Sequence, residues 1–403
     1  MPEELAIGLD IGTSEVKAIA GWVESDGTLH VEAAGSVASR GVERGAVSAL
    51  NSCTEAVSEV LRKIRWDQRS FRGLCFTAVD GTHVLSESSS AATAIRLSSK
   101  VTPDDVERVL DAAKAVRIGS DQEILHVIPR DFSLDGLDGI KSPVGMEGRH
   151  LSVRALVVVA STTAVRSRAS AIEDAGLPVD GMVVHAIASA EGVLSDSDRR
   201  LGTCVVDIGE GTTSMVVYQG GSAALIAVIP VGGGLVTSDL AVGLGIPVSV
   251  ADRLKVSVGD LRRMRRLTKE RFSDIDLDRS LKGADLSEAG AIVEARLSEL
   301  FEMVMDHLRG MDLANRIPAG IILTGGASSM VGISELASNV TGLRCQISGP
   351  RRILNRGDTS PTLKYACAAG LVRLAFEKRG SLRVSGHSLR LMDRLRGFIS
   401  DFL

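Results

Sequence analysis

Aromatic residues are scarce in this 403-residue chain, at 3% of positions, and its core must therefore be filled by Val, Ile, Leu and Ala. Cysteine is scarce too. The five (Cys53, Cys75, Cys204, Cys345, Cys367) show neither C-x-x-C nor a metal spacing, which excludes a zinc module and argues against a disulfide framework. No stretch reaches the roughly 18 apolar residues of a membrane span. The opening residues MPEE form neither a basic nor an apolar leader segment, so the expectation is a chain that stays inside the cell. Positive charge is not in excess either: the net charge is −4, and an acidic body with few aromatics argues against a nucleic-acid partner.

What is present begins with a repeated phrase. Residues 10–17 read DIGTSEVK and residues 207–213 read DIGEGTT, and each follows an apolar, strand-like run. Beside a polyphosphate these residue types have distinct uses. A glycine lets backbone N–H groups approach phosphate oxygens, a hydroxyl adds a neutral donor, and a strand-end aspartate holds the water shell of Mg²⁺. One such phrase is an ordinary strand-ending turn. Two in corresponding positions point to duplicated halves closing on one ligand. A third strand, residues 320–328 (GIILTGGAS), runs into a glycine pair against which an adenine can lie flat.

These three loops, in this order, resemble the actin, Hsp70 and sugar-kinase superfamily, and within it the FtsA family of bacterial cell-division proteins. The resemblance is carried by residues 39–45 (SRGVERG), 125–130 (LHVIPR), 139–145 (GIKSPVG), 204–209 (CVVDIG) and 320–327, and it extends over almost the whole length. It implies an α/β, actin-like two-lobed ATPase fold of duplicated ribonuclease H-like domains, with an inserted αβ subdomain and a C-terminal amphipathic helix. The implied boundaries are 1–81 with 161–196 (subdomain 1A), 82–160 (inserted subdomain 1C), 197–232 with 317–378 (2A), 233–316 (2B), a linker at 379–388 and a membrane-targeting helix at 389–403. It further implies ATP and Mg²⁺ as cofactors. The nucleotide would lie among Asp10, Gly12, Thr13, Ser14, Lys17, Asp207, Gly209, Glu210, Gly211, Thr212, Thr213, Gly325, Gly326, Ala327 and Ser328, with Asp10 and Asp207 on the metal through water.

Several positions carry two readings. Gly233, in the turn VIPVGGG (228–234), either touches phosphate or serves as a flexible joint. Asp252 and Lys255, in VADRLK (250–255), match the helix that reaches the nucleoside in the superfamily, and equally suit a charged pair on a solvent face. Fast hydrolysing relatives carry a water-positioning glutamate at the lobe connection. This chain reads HAIASA at 185–190 instead, which implies slow turnover at most. His185 is either a base or, more commonly for a lone histidine beside an apolar helix, structural. Glu210 stands where most FtsA-like proteins have glycine, although actin carries an acid at the matching place.

The clearest helical pattern is 101–117, with Thr102 as N-cap, Pro103 at N1 and Val106, Val109, Leu110, Ala113 and Val116 on one face. Further helices are expected over 48–63, 163–175 and 291–308. The run RRMRR (262–266), surrounded by acids, reads as a solvated loop or a peptide-binding edge. By resemblance, the segment 233–316 receives the C-terminal peptide of FtsZ, and subdomain 1C contacts neighbours in a filament and other division proteins.

The tail differs from the body. Residues 378–403 hold six Lys or Arg against two Asp, a charge of +4 that leaves −8 on residues 1–377. Leu391, Met392, Leu395, Phe398, Ile399 and Phe402 gather on one helical face bordered by Arg394 and Arg396, the pattern of a helix lying on an anionic membrane. Together with this tail, the resemblance implies an ATP-binding, polymerising adaptor that tethers FtsZ filaments to the cytoplasmic face of the membrane at the division site. The alternatives are a PilM-like scaffold, which the tail and the stretches at 39–45 and 125–145 disfavour, and a sugar or metabolite kinase, for which no substrate aspartate stands out. An Hsp70 would need a further client-binding domain.

Overall fold

The computed structural model describes residues 5–67, 71, 73–95, 100–257, 288–357 and 360–382. The RRMRR run and the 389–403 helix lie outside the described residues.

The N-terminal residues fold into β1 (Ala6–Ile11), β2 (Glu15–Val23) and β3 (Leu29–Ala38), followed by the short pair β4 (Val42–Glu43) and β5 (Ala46–Val47). Helix α1 (Leu50–Lys63) then leads to β6 (Leu74–Val79). The inserted unit comprises β7 (Leu85–Ala94), α2 (Pro103–Ala113), β8 (Gln122–Leu134), β9 (Leu137–Ile140) and β10 (His150–Ser161), in a sheet of order β7-β10-β8-β9. Thr102 caps α2 in a capping box with Asp105, and Pro103 occupies N1. The helix stops at Ala113, short of the expected 117, with Lys114 as its C-cap, and Val116 packs on the insert core from beyond the helix end.

The chain returns through α3 (Thr162–Glu173) and β11 (Gly181–Val184) to α4 (His185–Val193) and α5 (Asp196–Leu201). The second half repeats the plan as β12 (Thr203–Ile208), β13 (Thr213–Gln219) and β14 (Ser222–Ile229), then α6 (Gly233–Leu244), α7 (Val248–Ser257) and α8 (Ala289–Gly310). It closes with β15 (Ile321–Thr324), α9 (Ile333–Thr341), β16 (Cys345–Ile347), β17 (Ile353–Asn355) and α10 (Ala366–Leu382).

The two main sheets run β11-β6-β1-β2-β3-β17 and β14-β13-β12-β15-β16. Five strands correspond one to one. In each half the central strand pairs antiparallel with the next strand and parallel with a later one: β1 with β2 and β6, β12 with β13 and β15. The duplicated lobes anticipated from the repeated phrase are therefore present.

One boundary needs correction. Residues 317–378 do not all belong to the second lobe, because β17 pairs with β3 and α10 lies on the first sheet. Gly8 allows this approach, since a Cβ there would stand 2.1 Å from the carbonyl oxygen of Ala368. Helix α10 buries residues all round its first three turns (Ala366–Ala375), so no apolar stripe in its sequence indicates which sheet it covers. It also extends through Leu382, four residues into the expected linker.

Helices α4 and α10 cross between the lobes at two glycines. A Cβ on Gly192 would meet the Ala366 carbonyl at 2.1 Å, and one on Gly370 the Ala188 carbonyl at 1.7 Å. The apolar core of the first lobe continues across this crossing to Val205, Val216, Tyr218 and Ile226 of the second sheet. The opposite face of that sheet packs under α6 to α9. All five cysteines are free, and Cys345 alone among them is only partly buried. Among the described residues no single helix is long and apolar enough to cross a membrane.

The insert is tied to the first sheet by His126 of β8, whose buried Nε2 accepts the Val184 N–H at 3.1 Å. Burial pushes this imidazole down to about 4 from 6.5. The folded state then binds fewer protons than the unfolded one between those values, so stability is lost as pH falls through the window, by about 3 kcal/mol in all. Replacement by a neutral acceptor, His126→Gln, is expected to flatten the pH dependence of urea unfolding between pH 6.5 and 4 relative to the unaltered chain. An unchanged slope would contradict this assignment.

Candidate functional site

A cavity of about 370 Å³ lies where the strand ends of the two sheets face each other. The same local turn builds both sides: the Gly12 N–H donates to the Glu15 carbonyl at 3.1 Å, and the Gly209 N–H to the Thr212 carbonyl at 2.9 Å. Each turn follows a buried aspartate, Asp10 at the end of β1 and Asp207 at the end of β12. Strand register places Lys17 across from Asp10 and Ser214 across from Asp207.

The neutralisation of the two carboxylates differs. Lys17 Nζ lies 2.8 Å from Asp10 Oδ2, whereas among the described residues Asp207 accepts a side-chain hydrogen bond only from the Ser189 hydroxyl, at 2.5 Å. His185, at the start of α4, stands between them, 3.7 Å from Asp10 and 3.9 Å from Asp207. Burial alone raises the Asp10 carboxyl, but Lys17 and then His185 outweigh it and its pKa is lowered. For Asp207 burial is the largest influence, and His185 and Ser189 do not cancel it, so its pKa is raised. His185 is itself raised: burial opposes its charge, but Asp207, Asp80 and Asp10 together prevail. The floor is thus short of positive charge on the Asp207 side, which a divalent cation would supply.

The walls come from four further segments. Thr13 Oγ1 accepts the Gly45 N–H at 3.2 Å and would lie 2.7 Å from a Cβ on Gly211, so the two loops touch only because position 211 carries no side chain. Asp80, directly after β6, accepts hydrogen bonds from Thr212 Oγ1 at 2.7 Å and Ser214 Oγ at 2.6 Å, joining the lobes. Gly325 follows β15 with φ of +88°, and a Cβ there would fall 2.2 Å from Asp207 Oδ1. Lys255 of α7 reaches in toward Glu210 at 3.3 Å, Asp252 at 3.0 Å and the Gly233 carbonyl at 3.2 Å. Lys364 pairs with Glu15 at 2.7 Å on the opposite rim.

Most of the residues expected from sequence do line this cavity: Asp10, Gly12, Thr13, Ser14, Lys17, Asp207, Gly209, Glu210, Gly211, Thr212, Asp252, Lys255, Gly325, Gly326 and Ala327. Three do not. Strand alternation turns Thr213 away to donate to the Val231 carbonyl, while Thr212 and Ser214 face the cavity. Ser328 folds back on the Thr324 carbonyl, leaving Ser329 and Met330 on the wall. Gly233 sits behind the wall and supplies a carbonyl to Lys255. Lys255 lines the cavity while also pairing with Asp252. Glu210 is accommodated by ion pairing with that lysine.

The sequence did not single out Glu15, Asp80, Ser214, Ser329, Met330 or Lys364, and left His185 between a base and, more commonly, a structural residue. Ser214 was recoverable, since it follows Asp207 by the interval that separates Lys17 from Asp10. Asp80 ends an apolar strand and precedes glycine, a weaker signal of the same kind. Lys364 lies too far along the chain from its partner Glu15 for any local pattern to connect them.

The donor set fits a magnesium–nucleoside polyphosphate. Three lysines converge on the walls, two glycine turns leave backbone approachable, and Asp10 and Asp207 face the same space. The volume falls within the range of small-ligand pockets.

Comparison with known proteins agrees with this geometry. The family described as an SHS2 domain inserted in FTSA matches residues 81–159, and the cell division protein FtsA family matches residues 204–370. The chain is 34% identical over 392 residues to cell division protein FtsA of Pseudomonas aeruginosa, covering 96% of this chain and 93% of that protein. It is 32% identical over 390 residues to that of Escherichia coli K12, covering 93% and 91% respectively. Among solved structures, the PilM-PilN type IV pilus biogenesis complex superposes with a TM-score of 0.64 at 19% identity, covering 93% of this chain and 99% of that one. MreB5 of Spiroplasma citri bound to ADP does so with 0.52 at 14% identity, covering 96% and 100%. These two likenesses establish the actin-like fold.

Gly325 provides a direct test of the site geometry. Gly325→Ala is expected to lower stability in urea unfolding by at least about 2 kcal/mol, because the positive φ and the Asp207 carboxylate both reject a side chain. A variant with an unshifted midpoint would show that the third loop can move away from Asp207.

Proposed function

The chain belongs to the FtsA family of cell division proteins, and from that premise we propose that it is an ATP-binding, actin-like protein that self-associates at the division site and tethers FtsZ filaments to the cytoplasmic membrane. One observation carries the nucleotide part: two buried strand-end aspartates from opposite lobes, Asp10 and Asp207, face one cavity that three lysines enter. In this reading both carboxylates hold the water shell of Mg²⁺, and Lys17 takes a phosphate oxygen. Backbone N–H groups of the loops at 12–14 and 209–212 cradle phosphates. Gly325 and Gly326 accept the adenosine. When bound, Mg-ATP supplies the charge that draws the two loops together.

Turnover is slow in this proposal. The start of α4 offers His185 and no carboxylate of its own to position water, and His185 stands 3.7 and 3.9 Å from the two aspartates on the floor. The nucleotide then acts chiefly by setting the relation of the lobes. The FtsZ C-terminal peptide is assigned to the segment 233–316, and the insert 82–160 to neighbouring subunits and later division proteins. The 389–403 helix is assigned to anionic lipid. A single short helix binds membrane weakly, and assembly into a polymer multiplies that affinity by avidity.

Two measurements check these assignments. Asp10→Ala and Asp207→Ala are each expected to weaken Mg-dependent ATP binding at least ten-fold by calorimetry, since a charge-assisted contact is worth about 1.5–3 kcal/mol. Unchanged binding in both would remove the nucleotide assignment. Deleting 389–403, or changing Phe398 and Phe402 to Glu, is expected to leave ATP binding intact and release the protein from phosphatidylglycerol-containing vesicles in cosedimentation. Retention of both variants on the vesicles would refute the anchor.

A further inference from the structure

The insert leaves the first lobe after β6 and rejoins it before α3, yet besides the bond of His126 to the first sheet several of its side-chain bonds cross to the second lobe. At its root, Asp80 takes Thr212 and Ser214 on its two carboxylate oxygens, at 2.7 and 2.6 Å. Further out, the Ser86 hydroxyl in β7 donates to the Ile226 carbonyl at 2.7 Å and accepts the Ile226 N–H at 3.2 Å, engaging both backbone groups of one β14 residue. From β8, Arg130 donates to the Gln219 side chain at 3.1 Å. A rotation of one lobe against the other must either carry the insert along or break these bonds.

The root also touches the first phosphate loop. The Asp80–Gly81 peptide packs on Gly45, where a Cβ would come within 2.9 Å of it. Gly45 in turn donates to Thr13, and its carbonyl, like that of Ile11, accepts from the buried Arg168 guanidinium. Asp80 therefore lines the cavity, directly follows the strand leading into the insert, and is bonded to the second loop.

Resting on the nucleotide reading above, we propose that Asp80 is a positioning residue that couples the second phosphate loop to the inserted subdomain, so that nucleotide held between the lobes alters the insert. The hydroxyls of Thr212 and Ser214 donate to a carboxylate, the stronger class of neutral-donor hydrogen bond. Thr213 between them is pinned to Val231, so the loop and the start of β13 shift as a unit. Drawing that unit toward bound phosphate pulls on Asp80 and hence on Gly81 and β7. The insert thereby reports the state of a cavity that it does not itself line beyond its root.

The test is amide hydrogen exchange over residues 85–94 and 122–134 of the full chain, with and without Mg-ATP at a concentration that calorimetry shows to be saturating for each variant. In the unaltered protein, Mg-ATP is expected to slow exchange in both strands. With Asp80→Ala the slowing is expected to be lost at saturation. Asp80→Asn, which keeps one acceptor oxygen, should restore part of it, and Ser214→Ala should lose part of it without touching the insert. A merely structural Asp80 would change stability but leave the nucleotide-dependent difference in place, and that result in Asp80→Ala or, should it not fold, Ser214→Ala would overturn the coupling. Mg-ATP that binds the unaltered protein yet leaves insert exchange unchanged would overturn it as well, with the nucleotide reading intact. The absence of any binding heat in the unaltered protein would overturn both.

Discussion

Two carboxylates buried toward one another at the ends of β1 and β12 are the constraint around which the rest of the molecule is arranged. A buried charge is tolerated only with a partner. Asp10 has Lys17 from its own hairpin, so the first lobe is satisfied locally. Among the described residues Asp207 has as close side-chain partners Ser189 and, at 3.9 Å, His185, both brought from the other lobe by α4. The second lobe thus depends on the crossing of α4 with α10, and that crossing depends on Gly192 and Gly370. The same constraint forbids a side chain at Gly325 and leaves a deficit of positive charge that suits a metal–polyphosphate ligand.

The duplicated halves are alike in topology and unlike in chemistry. Strand order, pairing sense and the turn after each aspartate repeat. At the place across from the aspartate, however, one half has Lys17 and the other Ser214. Register equates Asp80 after β6 with Gly326 after β15, so one position joins the lobes by a carboxylate while the other leaves space. The asymmetry gives the cavity a cationic side and an open side, which a symmetric pair of lobes would lack.

Glu210 adds a negative charge to a loop otherwise suited to phosphate. Lys255 answers it and is held in place by Asp252 and the Gly233 carbonyl. The arrangement ties the second loop to α7. Together with the bonds of Asp80, it links both α7 and the root of the insert to residues that line one cavity.

Local chemistry made much of this legible in the sequence. The repeated DIG phrase marked both strand-end aspartates, the TGGA run marked the third loop, and Thr102 with Pro103 marked the start of α2, because turns, caps and phosphate-type loops are made by residues close together in the chain. The pairing of Lys17 with Asp10 also follows from a hairpin. What sequence could not supply were contacts between distant segments: Thr212 and Ser214 on Asp80, Lys364 on Glu15, His185 between two aspartates, and α10 and β17 returning to the first sheet. Helix α10 is apolar on nearly every side, so its composition predicts burial without saying where. Only the packing of the two lobes, set by close approach at a few glycines, decided which buried charges meet and which strand each helix covers.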